Sequence, residues 1–326
     1  MKIISKISKI TPILALVVLM LSCSDDDVNT QQEFNIVETA LASPNLSNLV
    51  AALQAADGNL VNVLSGEGPF TVLAPTNEAF ATFLSDNGFA SLSEVPTDVL
   101  SQILLNHVIS GNVTSTDLIS AGSGYANTSA TGPGNNNLSL YFNTTNGVRF
   151  NGVSSVTNAD IMATNGTIHI VDAVIGLPTV VDFALANPAL SNLVAALQSA
   201  DSQSPSPNLI GTLSGNGPFT VFAPTNTAFG NLLLELDPSG NTTLGDIPPS
   251  TVEAVLTYHV VGANLTSSQL SSGTVSTLGG NVTVNATNFT ITDPNNRVSG
   301  IITSLVDIQA INGVVHAIDK VILPPQ

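Results

Sequence analysis

The chain states one pattern twice. Gly68–Phe80, GPFTVLAPTNEAF, returns as Gly217–Phe229, GPFTVFAPTNTAF. Upstream, Leu46–Gln54 (LSNLVAALQ) recurs without change at Leu190–Gln198, and downstream Gly166–Asp172 (GTIHIVD) is echoed by Gly313–Asp319 (GVVHAID). Pro69 and Pro218 stand 149 residues apart. That interval is a domain length, far above the roughly 20–50 residues of a solenoid repeat. The sequence therefore encodes two globular domains in tandem, each long enough to bury its own core.

The first 32 residues fall outside that duplication. Lys2, Lys6 and Lys9 form a basic start, and Ile13–Leu21 is an unbroken apolar run. The run is short of the ~20 residues a membrane span needs and has the length of a signal-peptide core. It ends on Met20-Leu21-Ser22-Cys23, and Cys23 is the sole cysteine of the chain. This arrangement resembles a bacterial lipoprotein box. It implies a signal peptide over 1–22 and lipidation of Cys23, with export to the outer membrane and exposure on the cell surface. Ser24-Asp25-Asp26-Asp27 resembles the acidic sorting signal of surface lipoproteins in the Bacteroidetes, and 23–32 reads equally as a charged, extended tether. No second cysteine is available for an intramolecular disulfide, so two hydrophobic cores must supply the stability. The final residues, Ile322–Gln326, carry no apolar tail of the kind a glycolipid anchor requires.

Charge narrows the partners. Six basic and 23 acidic residues give a formal charge of −17 at pH 7, and loss of the three leader lysines takes it to −20. Such a surface repels nucleic acid and anionic headgroups, so no nucleic-acid partner is expected and the membrane is met only through the lipid. Polyanionic glycans would need a bridging divalent cation. The remaining polar surface is rich in Asn, Thr and Ser, which neutral sugars meet without electrostatic penalty.

Within each repeat the apolar spacing changes from helical to extended. Leu46, Leu49, Val50 and Leu53, and again Leu190, Leu193, Val194 and Leu197, form one helical stripe, with Pro44 and Pro188 near its start. A strand at Phe70–Leu73 and Phe219–Phe222 leads through Pro-Thr-Asn into a second helix, for which Asn77 and Asn226 are the expected N-caps. A third helix ends near His107 and His259. Alternation then takes over. Leu138, Leu140 and Phe142 share one face, Asn146-Gly147 turns the chain, and Val148 and Phe150 return. In repeat two Val282, Val284, Phe289 and Ile291 alternate likewise. Asn165-Gly166 and Asn312-Gly313 mark a tight turn before the last strand. The expected fold class is α+β, with N-terminal helices packed on a compact, mainly antiparallel sheet region.

Taken together, three islands stand in the same order in both halves: Thr71–Phe80 and Thr220–Phe229, the helix end at His107 and at Tyr258-His259, and the last strand Gly166–Pro178 and Gly313–Pro324. In that order they resemble the fasciclin domain family, over 33–178 and 179–326. Repeat one carries Asn106 where repeat two carries Tyr258. The resemblance implies an extracellular, non-enzymatic adhesion module that binds a matrix protein, a polysaccharide or a neighbouring cell, without a cofactor. A glycan-capture protein of a polysaccharide uptake system and a hydrolase with an unrecognised site are the alternatives.

Few residues invite a chemical role. All four histidines, His107, His169, His259 and His316, occupy matching positions in the repeats. They read as buried residues bonded to backbone, or else as paired ligands or acid–base groups; two histidines without a third ligand make a poor zinc site, and no metal is expected. Asp172 and Asp319 are near in sequence, but side chains three apart on a strand face opposite ways. Beyond the leader the only cations are Arg149, Arg297 and Lys320. Arg149 and Arg297 fall in what reads as the same hairpin of the two repeats, placed to grip a carboxylate or sulfate or to cover apolar surface with their stems. Thr76, Asn77, Thr225 and Asn226 are weaker ligand candidates within the strand-turn-helix motif. No nucleophile elbow, zinc-protease helix, phosphate loop or dinucleotide fingerprint is present. Asp25–Asp27 lack the glycine and distal Glu of a calcium loop, and sequons such as Asn112, Asn241 and Asn281 reflect Asn/Thr composition.

Overall fold

A computed structural model describes residues 33–326; Cys23, the leader and the tether lie outside the described residues. Residues 33–326 form one compact unit. Repeat one begins with helices α1 (Ile36–Leu41), α2 (Ser47–Ala55) and α3 (Leu60–Ser65), followed by strand β1 (Phe70–Pro75) and helices α4 (Asn77–Asp86) and α5 (Thr97–Asn106). Then come β2 (Val108–Ser110), α6 (Ser115–Ala121), β3 (Ser123–Thr131), β4 (Asn137–Asn143), β5 (Arg149–Phe150), β6 (Ser154–Ala163) and β7 (Gly166–Val171). The seven strands close into a barrel in chain order, antiparallel except where β7 meets β1 in parallel.

Repeat two runs α7 (Val180–Ala186), α8 (Ser191–Asp201), α9 (Leu209–Ser214), β8 (Phe219–Pro224), α10 (Asn226–Leu236), α11 (Pro249–Thr257) and β9 (Val260–Val261). It continues with β10 (Gly273–Ser276), β11 (Asn281–Asn285), β12 (Thr290–Thr292), β13 (Val298–Gly300), β14 (Ile308–Ala310) and β15 (Gly313–Ile318). Here the barrel is split into two four-stranded sheets, β10-β11-β12-β13 and β14-β15-β8-β9. Tyr258 stands at the split. Its ring packs so closely on Gly279-Gly280 that a Cβ at Gly280 would sit 2.2 Å from the hydroxyl oxygen. In repeat one the matching Asn106 instead accepts from Thr128 on β3 and donates to the Gly176 carbonyl in the linker. One residue difference thus trades a polar tie across the barrel for an aromatic wedge.

The central parallel pair divides two cores. Val72, Ala74 and Ile168 face α1–α5, whereas Leu73, Phe142, Phe150 and Val171 fill the barrel. The expected apolar stripes are buried: Leu46, Leu49, Val50 and Leu53 in repeat one, Leu190, Leu193 and Leu197 in repeat two. Phe80 and Phe229, 1% and 4% exposed, are buried in the cores beneath α4 and α10.

The strand-turn-helix motif differs from expectation in one detail. Thr76 and Thr225, not Asn77 and Asn226, are the N-caps: their backbone is extended, and their hydroxyls accept from the Ala79 and Ala228 amides. Asn77 and Asn226 are already helical. Their amides reach back to the turn before α2 and α8, donating to Pro44 and Pro188 carbonyls and accepting from the Asn48 and Asn192 amides.

The Asn-Gly turns tie three segments at once. Asn165 Oδ1 accepts from the Ile36 amide while Nδ2 donates to the Leu64 and Gly66 carbonyls. Asn312 repeats the arrangement on Val180, Leu213 and Gly215. Each asparagine binds the first helix and the end of the third to the last hairpin, so their recurrence has a structural cause.

The repeats share an interface. Tyr125 on β3 lies edge-on to Phe183 of α7 at 5.7 Å and tilts against Tyr141 at 5.1 Å, and Asn187 donates to its hydroxyl at 3.1 Å. The Gln309 amide donates to Ser139 Oγ, and the Ile311 amide to the Pro178 carbonyl. Tyr141 consequently belongs to the hydrophobic core of repeat two.

Candidate functional site

The histidines sit at the seams between secondary elements. His107 caps α5; its Nδ1–H donates to the Ile103 carbonyl at 2.7 Å, and Nε2 accepts from the Ile175 amide at 2.9 Å. His259 does the same between Val255 and Ile322. Burial lowers both rings from 6.5 to about 4, against the raising effect of the carbonyl bond. His169 and His316 use the other tautomer: Nε2–H donates to the Val113 and Leu265 carbonyls, and Nδ1 accepts from the Asp160 and Asp307 amides. Burial also lowers His316. Both nitrogens of every ring are thus taken by backbone groups, and His107 is bonded to other partners than His169. Among the described residues no three His, Cys, Asp or Glu side chains are grouped to hold a metal ion.

The sequence missed the acids nearest these rings. Asp160 and Asp307 stand 3.9 Å from Nδ1 of His169 and His316, and both have φ of +57°. Ser115 donates to Asp160 through its amide and hydroxyl, which holds that carboxyl below the usual carboxylate range. Ser267 binds Asp307 in the same way. The only available signal was an aspartate at matching places in the two copies, because the pairing spans 45 and 40 residues. Asp172 and Asp319 are turned to other work: their carboxylates accept from the Ser155 and Gly300 amides, tying the end of the last strand to its neighbour.

The arginines do not correspond. Asp172 exchanges bonds with Ser155 as Asp319 does with Gly300, and Ser154 and Ser299 donate to the Ala173 and Lys320 carbonyls. Counting back from those fixed points places Gly152 opposite Arg297, and the strand pairing places Arg149 opposite Thr290. Arg149 and Arg297 are 148 residues apart, close to the 149-residue repeat interval, yet do not match because the two hairpins differ in length on either side. Arg149 is exposed on β5. Arg297 is folded inward: its guanidinium donates to the Val321 carbonyl at 2.8 Å, binds Glu235 on α10, and lies 3.6 Å from the buried Asp293 carboxylate. Thr76, Asn77, Thr225 and Asn226 are half-buried and committed to the bonds described above.

The fasciclin domain pattern matches residues 44–178 and again 188–324. The chain belongs to the fasciclin domain family. Protein sll1483 of Synechocystis is 41% identical over 149 residues, 45% of this chain and 74% of its own. Human periostin is 32% identical over 269 residues, 80% of this chain, and this fasciclin pair spans only 29% of periostin. A solved FAS1 domain pair from the insect cell adhesion molecule Fasciclin I is similar over 86% of this chain and 97% of its own, with a TM-score of 0.49 at 20% identity. In this fasciclin pair no single helix among the described residues is long and apolar enough to cross a membrane.

Proposed function

We propose that this protein is a non-enzymatic adhesion lipoprotein, anchored through Cys23 to the outer membrane and presenting its fasciclin pair to a matrix component or a neighbouring cell. The observation that carries the reading is the pair itself, two fasciclin domains packed into one unit through Tyr125, Tyr141 and Phe183. A packed pair holds two binding surfaces at fixed spacing, so the second contact forms at high effective concentration once the first is made. The non-enzymatic reading is supported by the histidines, whose ring nitrogens are all occupied by backbone. The acidic surface favours neutral or basic partners over polyanions.

The test is a glycan and matrix-protein array probed with the lipid-free chain from residue 24, with and without calcium, alongside aggregation of beads coated with it. Saturable binding to a matrix protein, or bead–bead clumping, is the expected result. Binding confined to one oligosaccharide class would replace adhesion by glycan capture. A blank array with dispersed beads would overturn adhesion. Globomycin-sensitive labelling with palmitate, lost in Cys23→Ser, tests the anchor.

A further inference from the structure

The inter-domain junction contains a cleft of about 310 Å³. One wall is the β5–β6 turn (Gly152, Val153), the floor is the linker (Gly176, Leu177), and the far wall is α7, through Asp182 and Leu185. Val153 and Leu185 are 54% and 61% exposed, so two apolar side chains face solvent across a gap. Asp182 spends only one carboxylate oxygen on its helix cap: Oδ2 accepts from the Thr179 amide and hydroxyl, and Oδ1 accepts no hydrogen bond from any described residue. A cleft of this volume at a domain junction, apolar with one charged group, has the build of a ligand site.

The other repeat indicates the occupant. Its hairpin turn and C-terminal segment correspond to the turn and linker here, with Val298 matching Val153 and Ile322 matching Ile175. There the position of Gly152 is held by Arg297, whose guanidinium reaches the Val321 carbonyl between two carboxylates. Repeat one lacks the arginine. Asp86 on α4 matches Glu235 on α10 in sequence but does not line the cleft, where the acid is Asp182 of α7. Gly152 has φ of +69°, a backbone conformation that favours glycine, and as glycine it places no side chain in the cleft.

We propose that this cleft receives an arginine side chain of a partner protein, its stem between Val153 and Leu185 and its guanidinium on the free oxygen of Asp182. The strongly negative chain steers such a group inward, and a planar guanidinium suits a carboxylate with one oxygen unspent. The inference extends the adhesion reading by naming the partner's chemistry, and rests on it only for the partner being a protein.

The test titrates N-acetyl-L-argininamide into the lipid-free chain and follows amide resonances by NMR. Its neutral isostere N-acetyl-L-citrullinamide is titrated in parallel. Saturable shifts at Gly152, Val153, Gly176 and Leu185 are expected, at least fivefold weaker with citrulline. Asp182→Asn should abolish them, while Glu38→Gln should not; Glu38 matches Asp182 in α1 and removes the same charge away from the cleft. Thermal melts of both variants show whether the fold is kept. No shifts, equal response to citrulline, or shifts spread over the acidic surface and unaffected by Asp182→Asn would overturn the proposal. Because the probe reads the cleft alone, that failure would leave the adhesion reading standing.

Discussion

Acid should destabilise this protein in a window set by histidines. His107 and His259 each accept a backbone N–H on Nε2 and donate from Nδ1, inside the protein. Protonation would turn Nε2 into a donor facing the Ile175 or Ile322 donor. The ring therefore resists its proton, and its folded value is about 4 against 6.5. Between those values the unfolded chain binds more protons than the folded one, so stability rises with pH and is lost as pH falls from 6.5 toward 4. Linkage gives a loss, relative to neutral pH, of about 1 kcal/mol per histidine at pH 5.5 and about 2–3 kcal/mol at pH 4.5. The two together remove about 5 kcal/mol, comparable to the ~5–15 kcal/mol that holds a typical domain. His316 acts in the same direction.

Four aspartates act in a lower window. Hydrogen bonds lower Asp117, Asp160, Asp237 and Asp246 from 3.8, so their stabilisation is full above that value and disappears only below it. Urea unfolding followed by circular dichroism from pH 7.0 to 4.5 separates the two groups. The wild type should lose its midpoint steeply over this range. His107→Gln/His259→Gln should start lower at pH 7.0, having lost its seam bonds, yet stay nearly flat. A wild-type profile flat within about 1 kcal/mol, or a double variant that keeps the full slope, would refute the argument.

Other perturbations read the remaining seams. Asn312→Ala removes three backbone partners at a buried site and should cost about 2–4 kcal/mol in urea unfolding, more than Asn165→Ala at its better-solvated counterpart. Arg297→Gln leaves the buried Asp293 without its cation and should cost about 3 kcal/mol, whereas Arg149→Gln should stay within about 0.5 kcal/mol. Behind α7 lies an apolar cavity of about 40 Å³, against about 10 Å³ in repeat one, and Val180 stands on its wall where repeat one has Ile36. Val180→Ile should therefore stabilise by up to about 0.8 kcal/mol, read as a higher unfolding midpoint.

What was legible in the sequence was what recurs locally. The stripe Leu46–Leu53, the strand from Phe70 and the turn at Asn165 each follow from spacing within a dozen residues. The pairing of β1 with β7 does not, because nearly a hundred residues separate them and either edge of β1 offers the same backbone donors. The cap was misplaced by one residue because threonine and asparagine both suit an N-cap, and only the backbone turn shows which is extended. The arginine correspondence failed for a related reason: a fixed repeat interval cannot register a hairpin that has lengthened on one side and shortened on the other.

The interface shows why duplication alone could not predict how the copies meet. Repeat one buries the outward side chains of β4, Ser139 and Tyr141, against α7 and β14 of repeat two. Such a contact joins two different surfaces, and a chain of identical units built that way would have an open end at each side, free to extend into a filament. The open ends here have lost the pattern. Where α7 presents Phe183 and Asn187, α1 presents Thr39 and Ser43; where β4 presents Ser139 and Tyr141, β11 turns Asn281, Thr283 and Asn285 to solvent. The aromatic contact of Tyr125, Tyr141 and Phe183 exists only where the two copies face each other. Divergence between the repeats is thus part of the fold: the shared residues build each domain, and the unshared ones build the contact between them.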